Sequence, residues 1–428
     1  MTWILLLLIL TGFVAMTYRN VPQEVALSLV ALGALALAGA PDNEEALHNG
    51  FMELSRVALL FTAVAVPAHL LMRANALRYV GMLVGQAIGG LTERFHVPVS
   101  IIVPFTAMLL IWATAAMAHN TTSILTMTPI AIVICESYKL PMRPTLMGAL
   151  VASNLGGFST RWGDTPNITE AAVFGLKHMD FFREIMPINF GLLILVTVLV
   201  TFLTNRELKG RRRIHGLEVA LAKEDFRHSR LTMQIDQRLL CIGAIGLILA
   251  VVGPMCLPQR ELVVAAIAIM FCVILDRPSH RQQTLLALGS ETYVTFAAIF
   301  VLAQTLTHSH IGIGSRLQGF LASSGSSTFS IVAVSYVGTL LTEAASWASA
   351  ASGIVHAASP AHAAAWALGG GICAGSSSLT TAASAGILLV RETKHLPPNE
   401  RITFGSYLWF GIGASLLMLI YFVTVLSI

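Results

Sequence analysis

The chain has 428 residues and a formal net charge of +4, and 55% of its residues are hydrophobic while 11% are charged. Because soluble proteins carry about 25% charged residues, this composition excludes a large soluble core and indicates a polytopic membrane protein. The modest positive charge gives no reason to expect a nucleic-acid partner.

Apolar runs recur along the chain at the length that a spanning helix requires, about 17 to 25 residues, and they predict an all-α fold. The first run lacks the positive segment of a secretory signal, so we expect it to be retained. The predicted spans are 2–17, 23–40, 56–72, 99–117, 121–135, 185–204, 238–255, 260–276, 291–307, 327–341, 343–358 and 404–427. Shorter segments interrupted by glycine lie near 78–92, 145–160, 311–322 and 362–390, and they suit re-entrant hairpins or broken helices.

Charges in the loops predict how the chain is divided. Asn205 to Gln237 is rich in Arg and Lys, whereas the loop from Pro41 to Glu45 is acidic. Since basic residues concentrate in cytoplasmic loops, the first of these segments is expected inside and the second outside. This pattern predicts a first repeat over 1–204, a cytoplasmic linker over 205–237 and a second repeat over 238–428.

Polar segments recur in the same order in the two predicted repeats, about 220 to 240 residues apart. Asn120 to Ser123 has a counterpart at Glu343 to Ser346, and Gly156-Gly157 has one at Gly375 to Ser378. Interrupted segments at matching places in two inverted repeats indicate a transport site between the repeats.

The most informative segment is the polar break from Ser153 to Asn167, because irregular backbone at membrane depth persists only when it is buried in protein or lines a wet cavity. Gly156 and Gly157 allow a tight hairpin tip and a close backbone approach. Thr165 and Pro166 suit the N-cap and the first residue of a new half-helix. The alternative is an ordinary external loop, against which the apolar flanks argue.

Two charged residues lie inside this break, and each has more than one interpretation. Asp164 is either a carboxylate that binds the coupling cation or a turn residue that caps the next helix. Arg161 is expected to pair with Asp164, to bind an anionic solute, or to extend to the membrane surface.

Three other groups could hold a solute or an ion. Asn120, Thr121 and Thr122 offer oxygens at a helix start, where Asn120 or Thr121 could also serve as the N-cap. Glu343 is an isolated acid in a small-residue stretch, and a buried carboxylate there suits proton or sodium binding, or alternatively marks a helix end. Gly375 to Ser378 carry more hydroxyls than helix packing requires. His119 is either a proton relay or a satisfied interior residue.

Nothing in the sequence indicates an enzyme or a bound cofactor. The five cysteines lie in apolar surroundings without metal-ligand spacing, so we expect them to be structural. The phosphate loop of ATP-hydrolysing proteins is missing. Sodium is the candidate metal ion, as a coupling cation.

At this point the motifs resemble those of a known family. Ser153 to Gly157 together with Gly163 to Ile168 is similar to the SNxGG…GDPPNI signature of the ion transporter superfamily. That group includes citrate and dicarboxylate permeases, arsenite permease, sodium–proton antiporters and the melanosomal P protein. His119 to Thr122 with Thr128-Pro129 is similar to its DNVTT…TP segment, Leu341 to Ser346 to its LDNIP segment, and Gly370 to Ser384 to its second glycine-rich segment.

The resemblance implies two inverted repeats, each with a scaffold part and a transport part that carries a re-entrant hairpin and a broken helix. It also implies a homodimer and an elevator-like motion. The sequence departs from the family where His119 replaces an Asp, Glu343-Ala344 replaces Asp-Asn, Ser346 replaces a Pro and Arg161 replaces an aliphatic residue. With fewer acids and an added Arg, these departures favour an anionic solute.

We therefore expect a secondary active transporter in the inner (cytoplasmic) membrane that moves a small carboxylate or oxyanion with sodium or protons. The alternatives are a sodium–proton antiporter, an arsenite-type efflux permease, and a channel or membrane scaffold. The residues expected to bind the solute are Asn120, Thr121, Thr122, Ser153, Asn154, Gly156, Gly157, Arg161, Gly375, Ser376, Ser377 and Ser378. Those expected to bind the coupling ion are His119, Asp164, Asn167, Glu343 and Ser346.

Overall fold

The computed structural model confirms the all-α fold, and the described part of the chain contains no strand. It describes residues 2–18, 21–38, 40–161, 163–209, 216–257, 260–287, 290–308, 319–320, 323 and 327–427.

The helices follow one another with short connections. The first half contains α1 (Thr2–Tyr18), α2 (Gln23–Ala38), α3 (Ala40–Arg73), α4 (Ala76–Phe95), α5 (Val99–Ala118), α6 (Asn120–Ser137), α7 (Met142–Phe158), α8 (Thr165–Phe174) and α9 (Met186–Leu208). The rest contains α10 (Gly216–Thr232), α11 (Gln237–Cys256), α12 (Glu261–Leu275), α13 (Ser290–His308), α14 (Thr328–Thr342), α15 (Ala344–Ala358), α16 (His362–Ser376), α17 (Ser384–Glu392) and α18 (Phe404–Leu426). A π-helical turn, Phe181–Ile185, precedes α9.

Among the described residues, three helical segments are long and apolar enough to cross a membrane alone: Val99–Met117, His178–Leu208 and Phe404–Leu426. Two bent pairs add up to two more spans, with bends of 72° between α3 and α4 and 104° between α10 and α11. Most of the remaining apolar helices are shorter, and 15 residues of α-helix extend only about 22 Å. Several predicted spans are therefore too short to cross alone.

The helices pack in two groups. In one group, α3 packs against α11, α12 and α13, and α2 packs against α13. In the other, α5 packs against α7 and α14 packs against α16, while α6 and α15 contact the same respective partners. The short helices cross between the halves: α8 packs against α15, and α17 packs against α6. This reciprocal packing brings the two polar breaks together.

Glycines allow the close approach inside each helix pair. A Cβ on Gly156 of α7 would lie 2.2 Å from the Trp112 carbonyl oxygen of α5, and one on Gly375 of α16 would lie 2.9 Å from the Tyr336 carbonyl oxygen of α14. Both glycines lie within helices. The prediction that Gly156 and Gly157 form the hairpin tip is therefore wrong, because the chain turns after Phe158.

Three other segments differ from the sequence expectations. The predicted loop from Pro41 to Glu45 is helical and begins α3, since proline and acidic residues suit the first turn of a helix. The segment near 78–92 is the continuous helix α4. The predicted linker 205–237 contains α10, although residues 210–215 lie outside the described part. The segment near 311–322 also lies outside it, apart from residues 319 and 320.

Packing between α4 and α10 explains two of these differences. A Cβ on Gly85 would lie 2.5 Å from the Phe226 ring, and one on Gly89 would lie 3.1 Å from Lys223. Lys223 also pairs with Glu93. The glycines of α4 therefore form a contact face for α10 and do not interrupt their helix.

Candidate functional site

Two residues with the same unusual backbone conformation interrupt the two central helix pairs. His119 separates α5 from α6 with φ 84° and ψ 145°, and Glu343 separates α14 from α15 with φ 95° and ψ 151°. For a residue other than glycine this conformation costs about 1–3 kcal/mol, and such strain concentrates at functional sites. The chain therefore keeps a strained break at corresponding places in its two halves.

Each break residue uses its side chain to cap the helix that follows. The Thr121 amide donates to His119 Nδ1 at 3.4 Å. The Ala345 and Ser346 amides donate to Glu343 Oε2 at 2.9 and 3.3 Å. The prediction that Asn120 or Thr121 is the N-cap of α6 is wrong, because the positive φ places the cap one residue earlier, at His119.

Two loops, one between α7 and α8 and one between α16 and α17, each bond to a neighbouring helix break through their backbone. The Asn120 amide donates to the Gly163 carbonyl oxygen at 3.0 Å, and the Ala344 amide donates to the Ala382 carbonyl oxygen at 3.2 Å. The first N–H groups of α6 and α15 are thus each bonded to a loop, and these bonds fix the loop against the helix break.

Asp164 joins the loop between α7 and α8 to the helix break at His119. Its Oδ1 accepts the Thr165 amide at 2.9 Å, and its Oδ2 accepts the Asn120 side-chain amide at 2.8 Å. The His119 Nε2 lies 3.9 Å from Asp164 Oδ1. Asp164, and not Thr165, is therefore the N-cap of α8. The structure contains no ion pair between Arg161 and Asp164, since Asn120 and His119 surround this carboxylate.

The second hairpin differs from the first at the corresponding cap. Ala383 precedes α17 with φ −146° and ψ 146°, close to the −151° and 152° of Asp164 before α8. Ala383 has no side chain that can accept a hydrogen bond, so it cannot cap the first turn of α17 as Asp164 caps that of α8. The helices α8 and α17 thus begin with the same backbone conformation, but a carboxylate caps α8 and none caps α17.

The two halves meet through the ends of α7 and α16. The Asn154 side-chain amide donates to the Ser377 hydroxyl at 3.1 Å, and both residues are buried. The Ser377 hydroxyl in turn donates to the Cys373 carbonyl oxygen at 2.9 Å. Polar segments that are about 220 residues apart in sequence are therefore in direct contact.

Several buried oxygens in the polar segments have no hydrogen-bond partner among the described residues. They are Asn120 Oδ1, Thr122 Oγ1, Asn154 Oδ1 and Ser346 Oγ. Ser153, which precedes Asn154, donates to the Asn120 carbonyl oxygen, so the two asparagines belong to one region. Because buried polar groups are almost always hydrogen-bonded, unpartnered oxygens in these segments suit the binding of a ligand. The carbonyl oxygens of the two asparagines accept only, which suits a cation or an O–H donor.

Other predicted site residues are occupied with positioning the loops. Ser153 donates to the Asn120 carbonyl oxygen at 2.8 Å, and Asn167 donates to the carbonyl oxygens of Gly157 and Thr160 at 2.8 and 2.6 Å. Ser376 donates to the Cys373 carbonyl oxygen at 2.9 Å. Ser378 donates to the Tyr336 hydroxyl at 3.1 Å, and Thr121 Oγ1 lies 3.0 Å from His119 Nδ1.

The helix breaks at His119 and Glu343 both face the helix group that is built around α3. The His119 ring contacts the Phe61 ring of α3 edge-on at 6.3 Å between centroids. Glu343 lines a narrow cavity of about 30 Å³ together with Gly12 of α1, Leu27 of α2 and Ile299 of α13. The candidate site therefore lies near the boundary between the two helix groups.

The sequence interpretation missed Glu170, which the structure buries completely in α8. The available signal was an acid in a short helix flanked by apolar segments. Its neighbours Asn167 and Thr169 are also polar, a composition that is typical of a solvated helix face.

Comparisons with known proteins give one family match and several relatives. A family model described as "Citrate transporter" (CitMHS) matches residues 1–371. The chain is 25% identical over 202 residues to a 46 kDa membrane protein of Mycobacterium leprae, covering 46% of this chain and 45% of that protein. It is 30% identical over 187 residues to the magnetosome protein MamN of Magnetospirillum gryphiswaldense, covering 42% and 40%.

Two further similarities are more distant. The P protein of Mus musculus is 28% identical over 123 residues, which cover 28% of this chain and 15% of that protein. The crystal structure of the YdaH transporter of Alcanivorax borkumensis matches 94% of this chain and 96% of its own, with 14% identity and a TM-score of 0.43. The chain spans about half the length of the first curated relatives it matches.

Proposed function

The chain belongs to the citrate transporter family, and from this membership we propose that it is a secondary active transporter for a small anionic solute, a carboxylate or an oxyanion. Sodium or protons would drive it. The membership confirms the resemblance to the ion transporter superfamily, whereas the solute and the coupling ion are our inference.

One observation carries the proposal: each strained helix break is bonded to a neighbouring loop, and buried polar segments of the two halves are in contact, while oxygens of Asn120 and Asn154 have no partner among the described residues. The contact between Asn154 and Ser377 at 3.1 Å joins the two halves there. Strain at His119 and Glu343 is of the kind that persists where function requires it. Broken helices whose ends face each other are also the usual arrangement of solute and ion sites in secondary transporters.

The first half offers the better place for a cation. Asp164 brings a carboxylate, and Asn120 brings an unpartnered carbonyl oxygen whose own amide group holds that carboxylate at 2.8 Å. Hard cations are bound by oxygen ligands of this kind. We infer that a coupling cation binds beside Asp164, with Asn120 as a second ligand.

The second half offers the better place for an anion. The N-terminus of α17 has no capping side chain, and a helix N-terminus attracts anions through its free N–H groups and its dipole. The hydroxyls of Thr381 and Ser384 lie at the same end. An anion at α17 and a cation at Asp164 would let one site carry both charges together, as symport requires.

A sodium–proton antiporter is the second candidate, and a specific observation favours it. The Ala382 carbonyl oxygen accepts the first N–H group of α15 and Glu343 accepts the next two, so that helix start is not available to an anionic solute. In an antiporter, Glu343 and Asp164 would exchange the cations and Arg161 would be dispensable. An arsenite-type efflux permease is the third candidate, on the resemblance of the motifs alone.

Several further features are part of the proposal. We propose that residues 1–204 and 238–428 form two repeats of inverted topology, which the matching breaks support. The position of the breaks at the boundary between the helix groups supports an elevator-like motion of one group past the other. A homodimer and a location in the inner membrane follow from the family resemblance and the charge pattern.

Uptake into liposomes that contain the purified protein tests this function. Labelled citrate, succinate and arsenite are offered separately, each with a sodium gradient or a pH gradient, while proton movement is recorded with a trapped dye. We expect gradient-driven accumulation of citrate or succinate, whereas transport of arsenite alone would favour the third candidate. Sodium-driven proton movement without any of these solutes would contradict the proposal and favour the antiporter.

A further inference from the structure

Glu170 is the buried acid that the proposed solute and cation sites leave unused. It lies in α8, is 0% exposed, and neither of its carboxyl oxygens has a hydrogen-bond partner among the described residues. A Cβ on Gly369 of α16 would lie 2.7 Å from Glu170 Oε2 and 2.3 Å from Phe158 Cε2. The carboxyl is thus enclosed between the Phe158 ring and the glycine face of α16.

Among the described residues, the helices that pack against α8 offer Glu170 no permanent counter-ion. The helix α8 packs against α15 and α16, and none of these three helices contains Lys or Arg. Their titratable groups are Asp164, Glu343, His356, His362 and Cys373. Asp164, the N-cap of the same helix, is an acid, so its charge would have the same sign as that of an ionised Glu170.

The two histidines have other neighbours. His356 packs on the Phe174 ring at 4.9 Å between centroids, and His362 Nδ1 lies 3.5 Å from Glu184 Oε1. An ionised Glu170 would therefore have neither hydrogen bonds nor a fixed positive charge. Buried carboxyl groups in that position take up a proton or a cation. A metal cation needs several oxygen ligands, whereas Phe158 and Gly369 present carbon to this carboxyl.

The corresponding place in the second half shows that packing does not require an acid. Asp164 and Ala383 are the N-caps of α8 and α17, so the sixth residue after each cap is Glu170 and Leu389. Both are 0% exposed. Because a leucine fills the equivalent position, the carboxyl of Glu170 is available for a function beyond packing.

Cys373 links Glu170 to the contact between the two halves. Cys373 follows Gly369 by one helical turn in α16, so the two residues share a face of that helix. Its carbonyl oxygen accepts the hydroxyls of Ser376 and Ser377. The face of α16 that encloses Glu170 therefore leads to Ser377, which bonds to Asn154 of the other half.

We propose that Glu170 is the proton-binding residue of the transport cycle, which rests on the proposed function and selects protons as a driving ion. In the enclosed state its carboxyl carries the proton. When the site opens to water, the O–H bond breaks, the proton passes to a water molecule, and the bonding electron pair stays on the carboxylate oxygen. The return step reverses this transfer, so the charge moves with the conformational change.

Infrared spectroscopy tests the bound proton without any transported solute. At neutral pH the purified protein is expected to show the C=O stretch of a protonated carboxyl group, and Glu170→Gln is expected to remove it. Glu184→Gln is the matched control, because Glu184 is partly exposed and bonds to Trp366. A band that Glu170→Gln leaves unchanged would overturn the proposal whatever the protein transports.

Transport assays then separate a coupling role from a structural one. With labelled citrate as the probe, Glu170→Gln is expected to keep citrate–citrate exchange within about twofold while uptake driven by a pH gradient falls by at least about tenfold. Glu170→Leu, which reproduces the Leu389 environment, gives the same split if the glutamine variant fails to fold.

The outcomes distinguish the two proposals. Wild-type protein that moves none of the tested anions contradicts the proposed function but leaves the infrared result to decide on Glu170. Wild-type protein that accumulates citrate with sodium alone and ignores a pH gradient overturns the role of Glu170. An equal loss of exchange and of driven uptake in both variants also overturns it, because that pattern indicates a structural residue.

Discussion

Asn154 and Ser377, which are 223 positions apart in the chain, share a hydrogen bond of 3.1 Å at the buried meeting point of α7 and α16. The contact joins the two polar breaks, and Asn154 Oδ1 has no hydrogen-bond partner among the described residues. A buried acceptor of this kind is suited to bind a ligand.

Replacement of Glu343 with glutamine is expected to uncouple transport and to preserve the fold. Glutamine keeps a carbonyl oxygen that can accept the Ala345 and Ser346 amides, but it cannot carry a charge. Gradient-driven accumulation of citrate in liposomes should fall by at least about tenfold, while part of the solute binding persists. Unchanged accumulation would remove Glu343 from the coupling mechanism.

Asp164 allows the cap to be separated from the charge. Asparagine is as good an N-cap as aspartate, whereas alanine costs about 1 kcal/mol at that position. The Asp164→Asn variant should therefore unfold at nearly the wild-type temperature but lose cation-driven uptake. The Asp164→Ala variant should unfold at a lower temperature and also lose that uptake. If Asp164→Asn transports normally, Asp164 is only a cap and the cation site beside it is disproved.

The close contact of α5 with α7 predicts a strong effect of a single methyl group. Gly156→Ala places a Cβ 2.2 Å from the Trp112 carbonyl oxygen, and overpacking of this kind costs about 1–3 kcal/mol. Gly413→Ala is the matched control, because a Cβ there meets nothing within 4 Å. Thermal unfolding in detergent should show a lower midpoint for Gly156→Ala alone, and equal midpoints would contradict the packing.

A pH effect is expected at Asp276, which follows the last residue of α12 outside the membrane-spanning segments. Burial by itself raises the pKa of this carboxyl, but hydrogen bonds from Arg73 and Thr284 together with the Arg73 charge outweigh burial and hold the pKa below its ordinary value. The Arg73 Nη1 lies 2.7 Å from Asp276 Oδ2.

Because the pKa of Asp276 is lower in the folded protein, its ionised carboxylate stabilises the fold above the unfolded-state pKa of about 3.9. This stabilisation is lost as the pH falls through the folded-state pKa. At neutral pH, Asp276→Asn should lower the free energy of unfolding by about 2 kcal/mol. The difference in unfolding midpoint between the two proteins should shrink as the pH falls below about 4. A difference that stays constant down to the lowest pH would contradict a role for the carboxylate charge.

The sequence predicted most helices to within a few residues and placed both polar breaks correctly, because long apolar runs and isolated polar clusters are strong signals. The caps were predictable only in part. His119 caps α6 with a φ of 84°, and no pattern of residue types reveals a positive φ at a histidine. Asp164 was expected either to bind a cation or to cap the next helix, and the structure confirms that it caps α8, one residue before the alternative cap Thr165.

Residues with more than one physical role account for the other differences. Gly156 looked like a hairpin tip, but glycine also permits close helix packing, and here the packing role applies. The glycines of α4 were interpreted as breaks for the same reason. Glu170 lies beside polar residues in sequence, and only the tertiary structure places it between Phe158 and Gly369.

Uptake of labelled citrate by wild-type, Asn154→Ala and Ser377→Ala proteins in liposomes tests the central claim most directly, since the contact between these two residues defines the proposed site. We predict gradient-driven accumulation by the wild type and a loss of at least about tenfold in each variant, with all three proteins equally folded. Wild-type rates in both variants would show that solute does not pass between the two hairpins and would contradict the account.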